Sequence, residues 1–371
     1  MNEPTPVVIP TDLLPSDGRF GSGPSRIDPG AIAHLASVSD SYLGTSHRKP
    51  PVKQVVARIQ KGLTSMYSLP DGYEVVLGVG GATAFWDASV FGLIDHRSAH
   101  FTCGEFSSKF ASVAAGAPHL SDPVVIDAPI GTAPEPRLVE GVDTAAFIHN
   151  ETSTGVIAPF ERIGGALVLV DGTSAAGAID VDITQTDAYY FSPQKAFGSE
   201  GGLWVALMSP AALERVSSIA RSDRWVPPFL SLQTAIDNSR KHQTYNTPSL
   251  STLALLDWQI SHVLDHGGIA WADNRARTTS HHLYAWAEAS TFAEPFVTDV
   301  RFRSPTVVTI DFTPEVHADT VAVHLRANGI VDTESYRKLG RNQLRIAAFP
   351  TIRPEDAEAL TACIDYTVGA M

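Results

Sequence analysis

The sequence is poor in cysteine and contains no long apolar run. Its two cysteines, Cys103 and Cys363, cannot form a disulfide framework, and no CxxC pair indicates a metal site. We therefore expect no metal, and reduced thiols as in a cytoplasmic protein. The first twenty residues lack the basic and apolar regions of a signal peptide. No apolar stretch approaches the roughly 18 residues of a membrane span, so we expect no membrane partner.

Positive charge is also scarce, with 27 basic against 40 acidic side chains and a formal net charge of −13. A general nucleic-acid-binding protein needs a basic surface to meet phosphates, so the composition argues against that class. Small anionic ligands are not excluded, because a few arginines can set the electric field inside a cleft. Hydrophobic residues make up 44% and charged residues 18%, which is an ordinary globular balance.

The hydrophobic pattern divides the chain into three parts, and a length of 371 residues suits two domains. Residues 1–20 have the character of a proline-punctuated arm. Residues 21–268 alternate short apolar strands with longer helical patterns, which indicates an α/β domain with a mainly parallel sheet covered on both faces. Residues 269–371 change to a compact α+β pattern, which we interpret as a smaller second domain.

The periodicity predicts individual elements within these parts. Strands are predicted at residues 73–79, 145–150, 166–171, 188–192, 202–209, 306–312 and 342–349. Helices are predicted at residues 82–94, 251–266, 318–328 and at the end of the chain.

Two of the predicted strands are followed by small or polar residues, and ligands of parallel sheets bind where strands end. Strand 73–79 is followed by Gly80, Gly81, Ala82 and Thr83, where a helix begins. The first N–H groups of such a helix favour a phosphate. This signal alone is weak, because many strand–helix turns contain glycine for steric reasons only, and the motif is neither Walker A nor GxGxxG. The hydroxyl cluster around Thr152 follows strand 145–150, and alone it would indicate only a turn and a helix cap.

Asp171 and Lys195 follow the next two strands. Asp171 could cap the next segment, or it could pair with a buried cation such as a protonated ring nitrogen. Lys195 lies 24 residues further on, and a lone loop lysine is usually a solvated surface residue. Together, however, a phosphate cradle, an aspartate and a lysine at strand ends match the needs of pyridoxal phosphate. A metal hydrolase or a nucleotide-binding protein would leave Lys195 without a role.

Longer stretches of the chain resemble one enzyme family. They are GTSHRKPPVK, LPDGYEVVLGVGGATAFWDA, HNETSTGV, YYFSPQKAFGSEGGLW, QTYNTP and ANGIVDTESYRKLGRNQLRIA, in this order. Through them the chain resembles the phosphoserine aminotransferases, closest in their actinobacterial form, which are fold-type I pyridoxal phosphate enzymes of the class V aminotransferase group. The resemblance implies an α/β fold with a mainly parallel seven-stranded sheet in the large domain, a smaller α+β C-terminal domain, and pyridoxal 5′-phosphate as cofactor.

The resemblance also implies an activity and an assembly. The activity is transamination between L-glutamate and 3-phosphohydroxypyruvate, giving O-phospho-L-serine and 2-oxoglutarate in serine biosynthesis. A longer phosphorylated keto acid of pyridoxine biosynthesis remains open as a second acceptor. The assembly is a homodimer with shared active sites, acting on small molecules in the cytoplasm.

Two alternative functions remain at this point. A cysteine desulfurase or lyase of the same class is disfavoured, because a desulfurase needs a reactive cysteine on a mobile loop. Cys103 instead follows a strand, and Cys363 lies in the predicted terminal helix. A non-catalytic relative with the same fold is the second alternative, and the presence of both Lys195 and Asp171 argues against it.

Roles for individual residues follow from the same resemblance. Lys195 would form the Schiff base and act as the catalytic base, and Asp171 would pair with the ring nitrogen. The other cofactor contacts would be Ala82, Thr83 and Gln194 at the phosphate, Phe106 over the ring, Thr152 at the ring hydroxyl, and Asn246 and Thr247 from a second subunit. The substrate would contact His47, Arg48, Lys338 and Arg345.

The sequence departs from the family pattern at two of these positions. Many relatives have an arginine where Ala82 stands and a histidine where Lys338 stands, and both positions lie near the substrate's phosphate in the family. The geometry of that subsite therefore stays open. Among the remaining candidates, we interpret Trp86 as helix core and His149 as a strand-end histidine with a satisfied hydrogen bond.

Overall fold

The computed structural model describes residues 6–371, so the first five residues of the predicted arm lie outside the described residues. The α-helices are α1 Pro29–Tyr42, α2 Pro50–Met66, α3 Ala82–Gly92, α4 Glu105–Ala115, α5 Pro210–Ala220, α6 Leu232–Ser239, α7 Leu250–Asp265, α8 Ile269–Ala289, α9 Ala318–Ala327 and α10 Pro354–Ala370. The strands are β1 Glu74–Val79, β2 Ser98–Thr102, β3 Val124–Asp127, β4 Thr144–Ile148, β5 Asn150–Glu151, β6 Val156–Ile157, β7 Leu167–Asp171, β8 Ala188–Phe191, β9 Leu203–Met208, β10 Ala293–Pro295, β11 Val307–Phe312 and β12 Gln343–Ala347.

Seven strands form the large sheet, in the order β1-β9-β8-β7-β4-β2-β3. Strand β9 runs antiparallel to both of its neighbours, and the other pairs are parallel. The predicted α/β fold with a mainly parallel seven-stranded sheet is thus confirmed. The register places Ile148 of β4 opposite Asp171 of β7, and Asp171 opposite Tyr190 of β8. Because these strands are parallel, their carboxyl ends lie along one edge of the sheet.

Both faces of this sheet are buried, which explains why its strands are almost continuously apolar. Successive side chains of a strand point to opposite faces, and β7 shows this directly. Val168 packs with Ile59 of α2 in the core on one face. Leu169 packs with Phe85 of α3 in the core on the other face. The helices on both faces thereby hold the strand ends, and the residues that follow them, in fixed positions.

The C-terminal part contains an antiparallel sheet in the order β10-β11-β12. Its core includes residues of α8, α9 and α10, and also Ile9 and Phe20 from the predicted arm. Phe20 donates its N–H to the Val331 carbonyl at 3.2 Å and accepts from the Ala347 N–H at 3.0 Å. The described part of the arm is therefore packed against C-terminal elements. The domain boundaries at residues 20 and 268 stay predictions.

Candidate active site

A cavity of about 390 Å³ lies at the carboxyl ends of β4, β7 and β8, beside the start of α3. It brings together side chains from both parts of the chain. Eight of the predicted site residues line it, namely Ala82, Thr83, Phe106, Thr152, Asp171, Gln194, Lys195 and Arg345. The structure therefore brings these eight residues together, and their roles in binding and catalysis stay predictions.

Lys195 is buried in the wall of the cavity, with 8% of its surface exposed. Its Nζ donates a hydrogen bond of 2.8 Å to Thr152 Oγ1 and lies 5.1 Å from the centre of the Phe106 ring. Gly23 leaves room for the side chain, because a Cβ at this position would lie 2.9 Å from Lys195 Cε. The positive φ of Gly23, 143°, also favours glycine. The lysine is therefore held in place rather than solvated.

Burial lowers the pKa of Lys195 to about 8. The negative charge of Asp171 opposes this lowering, whereas the positive charge of Arg345 adds to it. A lysine with this pKa has a substantial neutral fraction near neutral pH. Its neutral amine can act as a nucleophile or as a base, which an ordinary surface lysine does poorly.

Asp171 ends β7 and is buried, with 5% exposed. Its Oδ1 accepts from the Thr173 N–H at 2.8 Å, and its Oδ2 accepts from Trp86 Nε1 at 3.2 Å. Burial raises the pKa of Asp171, and the bonds from Thr173, the Lys195 charge and the Trp86 bond counteract that rise. A buried carboxylate at a strand end is suited to pair with a cationic ring nitrogen, because each charge then offsets the desolvation of the other.

The start of α3 provides an anion site on the same cavity. The N-cap residue of α3, Gly81, has no side chain to bond the first N–H groups of the helix. These N–H groups and the positive end of the helix dipole are available to a phosphate. The side chain of Gln194 also lines the cavity, and its amide N–H2 can donate to an anion.

Arg345 of β12 closes the cavity from the C-terminal part of the chain. Its NH1 donates to the Thr152 carbonyl at 3.2 Å, and its guanidinium stacks 5.3 Å from the centre of the Tyr336 ring. Its Nε is buried, with no hydrogen-bond partner in the described part of the chain. Burial lowers the pKa of Arg345, although the group stays cationic because arginine titrates only at very high pH. A free guanidinium edge of this kind is suited to a carboxylate.

The other five predicted residues lie outside the cavity of their own chain. Thr247 Oγ1 lies 3.2 Å from His47 Nδ1, and Arg48 donates to the Tyr245 carbonyl at 3.5 Å. We call residues 46–48 with 245–247 the outer cluster, which also includes Asn246. Lys338 is exposed and ion-paired with Glu105, the residue before Phe106.

Three residues of the cavity have functions that the sequence did not indicate. Trp86 is buried as predicted, but it also donates to Asp171. Tyr336 lines the cavity beside Arg345, and Gly23 admits Lys195. The sequence spacing does not indicate a site role for Trp86 or Tyr336. The small residues around Gly23 indicate such a role only weakly. His149 has the expected partner, Tyr189 OH at 3.0 Å.

Comparison with known proteins identifies the family. A sequence model described as "Aminotransferase class-V" matches residues 133–333. A Rhodococcus jostii protein named phosphoserine aminotransferase is 56% identical over 98% of each chain. A Mycobacterium leprae protein described by the same activity is 57% identical over 97% of this chain and 96% of its own.

The chain belongs to the phosphoserine aminotransferase family. The structure agrees, because the crystal structure of a family member from Cytophaga hutchinsonii superposes with a TM-score of 0.86 at 22% identity. That superposition covers 94% of this chain and 99% of the other. The chain is therefore a class V aminotransferase whose cofactor is pyridoxal phosphate.

The residues present fit this cofactor. The uncapped start of α3 and the amide N–H2 of Gln194 can donate to its phosphate, and Asp171 and Lys195 suit its ring nitrogen and aldehyde carbon. Burial raises the pKa of Cys103 well above its usual range and that of Cys363 to about 11, so neither thiol has the reactivity of a desulfurase cysteine. None of the helices between residues 6 and 371 has the length and apolar character that a membrane crossing needs.

Proposed function

We propose that the protein transfers the amino group of L-glutamate to 3-phosphohydroxypyruvate, giving O-phospho-L-serine and 2-oxoglutarate. The main support for this proposal is that Lys195, Asp171 and Arg345 line the same cavity. The phosphorylated substrate is supported by the names of relatives that are 56–57% identical over nearly the whole chain.

Each cofactor contact in this proposal has a chain residue suited to it. The N–H groups at Ala82 and Thr83 would bind the phosphate together with the Gln194 side chain. Asp171 would hold a proton on the ring nitrogen, Phe106 would cover the ring, and Thr152 would contact the ring hydroxyl. When bound, the cofactor supplies an electron sink for the negative charge that develops at the substrate's Cα.

Lys195 and Arg345 would act on the substrate. Arg345 would bind the α-carboxylate through two parallel hydrogen bonds, which orients the substrate's Cα. Lys195 Nζ, as a neutral amine, would take the proton from the substrate's Cα. This step needs an amine that is unprotonated near neutral pH, and the lowered pKa of about 8 supports that role.

We further propose that the active unit is a homodimer whose outer clusters each reach the other subunit's cavity. The cluster supports this idea because Thr247 and His47 bond each other, and Arg48 bonds the neighbouring Tyr245 carbonyl, outside their own chain's cavity. In a neighbouring subunit, Asn246 and Thr247 would complete the cofactor's phosphate site. Arg48 would then provide a cationic group for the substrate. His47 would provide a hydrogen-bonding group, because burial and the Arg48 charge lower the pKa of its imidazole.

Parallel assays with glutamate as donor test the substrate. The acceptors are 3-phosphohydroxypyruvate, its unphosphorylated counterpart hydroxypyruvate, and a longer phosphorylated keto acid. We expect the first to exceed hydroxypyruvate in kcat/KM by at least about tenfold, because a single charge-assisted contact already gives that factor. Equal values for these two acceptors would refute the phosphate preference. Greater activity with the longer acid would assign the enzyme to that acceptor instead.

Mixing two inactive variants tests the shared site. One variant carries Lys195→Ala, and the other carries Asn246→Ala with Thr247→Ala. A heterodimer of the two has one cavity with both defects and one with neither, so activity returns in part. Subunit exchange is verified with differently tagged chains, and exchange without any recovery would refute sharing.

A further inference from the structure

Glu151 is a fully buried carboxylate beside the cavity, to which the proposed function gives no role. Its Oε2 accepts from the N–H groups of Ser107 at 3.0 Å and Phe106 at 3.2 Å. Its Oε1 accepts from the Ser153 N–H at 3.2 Å and from Ser153 Oγ at 2.6 Å. Backbone N–H groups can only donate, so both carboxylate oxygens must act as acceptors.

This carboxylate caps α4 from another part of the chain. The N-cap residue of α4, Gly104, has no side chain to do so. Glu151 instead accepts from the N–H groups of Phe106 and Ser107, the second and third residues of α4, and its negative charge meets the positive end of the helix dipole. Gly104 is needed for this approach, because a Cβ there would lie 2.6 Å from Glu151 Cγ.

The same carboxylate links two contacts of Lys195. Phe106, whose N–H it accepts, places its ring centre 5.1 Å from Lys195 Nζ. Thr152, the next residue in the chain, accepts a hydrogen bond from Nζ at 2.8 Å. A shift of Glu151 would therefore move the start of α4 relative to the 151–154 turn. Phe106 and Thr152, the two contacts of Lys195, would move with them.

Glu151 also contributes charge to the cavity. Within residues 6–371 it has no cation at ion-pair distance, and its charge is held by N–H and O–H donors alone. Burial lowers the pKa of Lys195 and of Arg345, and the negative charge of Glu151 opposes the lowering at both. Asp171 is the other buried anion that faces Lys195.

We propose that Glu151 is a positioning residue that fixes Phe106 and Thr152 around Lys195 and supplies a buried negative charge to that side of the cavity. The proposal rests on the proposed attachment of the cofactor at Lys195. It does not depend on which keto acid is the substrate.

The test compares Glu151→Gln, Glu151→Asp and a control, Glu105→Gln, as holoenzymes. The control removes a carboxylate of the α4 turn that Glu151 caps, but one that faces solvent and bonds Lys338 rather than the Phe106 N–H. Two readouts need no turnover. They are the pH midpoint of the visible absorbance of bound cofactor, which reports the nitrogen attached at Lys195, and the rate of cofactor release on dilution.

We expect Glu151→Gln to lower the midpoint by about one pH unit, because loss of a nearby anion disfavours the protonated nitrogen. Asp171 and Arg345, the other charges facing that nitrogen, stay unchanged. Cofactor release should become about tenfold faster, because an amide group cannot accept from donors on both sides. Glu151→Asp keeps the charge but withdraws it from α4, so it should keep the midpoint and speed release. Glu105→Gln should change neither value.

A Glu151→Gln protein with the parent midpoint and release rate would overturn the proposal. If that variant does not fold, as judged by circular dichroism, Glu151→Asp decides, and release at the parent rate would overturn the positioning role. Borohydride labelling of the parent protein separates this outcome from failure of the underlying attachment. A label on a lysine other than Lys195 would refute the attachment itself.

Discussion

The wall and the rim of the cavity are built differently. In the wall, Lys195, Asp171 and Thr152 are at most 8% exposed, and each has hydrogen-bond partners in its own chain. We call Lys338 and the outer cluster, which we propose to face the partner's cavity, the rim: Lys338 is exposed, and the Arg48 guanidinium donates to the Tyr245 carbonyl. The wall can shift pKa values because water is excluded, whereas the rim keeps cationic side chains in solvent, where an anion can compete for them. We infer that reaction chemistry lies in the wall and that substrate selection lies at the rim.

The largest expected effect comes from removing the central group of the wall. Lys195→Ala should lower kcat by at least about 10⁴-fold, because it removes both the attachment and the base. Lys109→Ala is the matched control, since Lys109 Nζ lies 5.4 Å from the centre of the same Phe106 ring but faces the rim. Steady-state assays of both variants, with circular dichroism to verify folding, check the difference. Similar losses in the two variants would contradict the assignment.

The burial of the wall also predicts a pH dependence in the protein stripped of cofactor. Reattachment needs neutral Lys195, and burial lowers the pKa of this residue to about 8. The rate constant of cofactor binding should therefore rise about tenfold per pH unit below pH 8 and level off above it. Stopped-flow absorbance between pH 6 and 10 measures this rate. A rate still rising steeply at pH 10 would indicate an ordinary solvated lysine.

Arg345 lies between wall and rim, and its removal should affect every amino-acid substrate. Because all of them carry the α-carboxylate, Arg345→Ala should lower kcat/KM for glutamate and for phosphoserine by about 100-fold each. Arg341→Ala provides the control, since Arg341 lies just before the same strand but pairs with Asp311 away from the cavity. A loss confined to one substrate would show that Arg345 does not bind the shared carboxylate.

The wall could be predicted from the sequence because its signals are local. The apolar runs that became β7 and β8 end at polar residues, and parallel strands bring those ends to one edge. The predicted strand 145–150 instead divides into β4 and β5, because the chain turns at His149. Strands β2 and β3 were missed. They are short, and Ser98 and His100 of β2 interrupt the apolar pattern while bonding each other at 2.9 Å.

Tertiary contacts account for what the sequence could not indicate. Trp86 was correctly expected in the core, but its bond to Asp171 depends on how α3 packs against the sheet. Glu151 belongs to the hydroxyl-rich turn around Thr152, yet its partners Ser107 and Phe106 are 44 and 45 residues away in α4. The positions of the rim residues relative to a second subunit are equally non-local, so their roles came from family resemblance alone.

The smallest expected effect concerns the rim, where Lys338 stands in place of the histidine of many relatives. Its pKa is raised by the hydrogen bond to Glu105, so it stays cationic throughout the assay range. A phosphate carries more negative charge than the side-chain carboxylate of glutamate and draws this cation more strongly. Lys338→Ala should therefore weaken phosphoserine about fivefold more than glutamate, a modest factor because the site is exposed to solvent. Lys109→Ala is again the control, since Lys109 pairs with the same Glu105 carboxylate at 3.2 Å. Equal losses for both substrates in Lys338→Ala would show that Lys338 does not bind the phosphate.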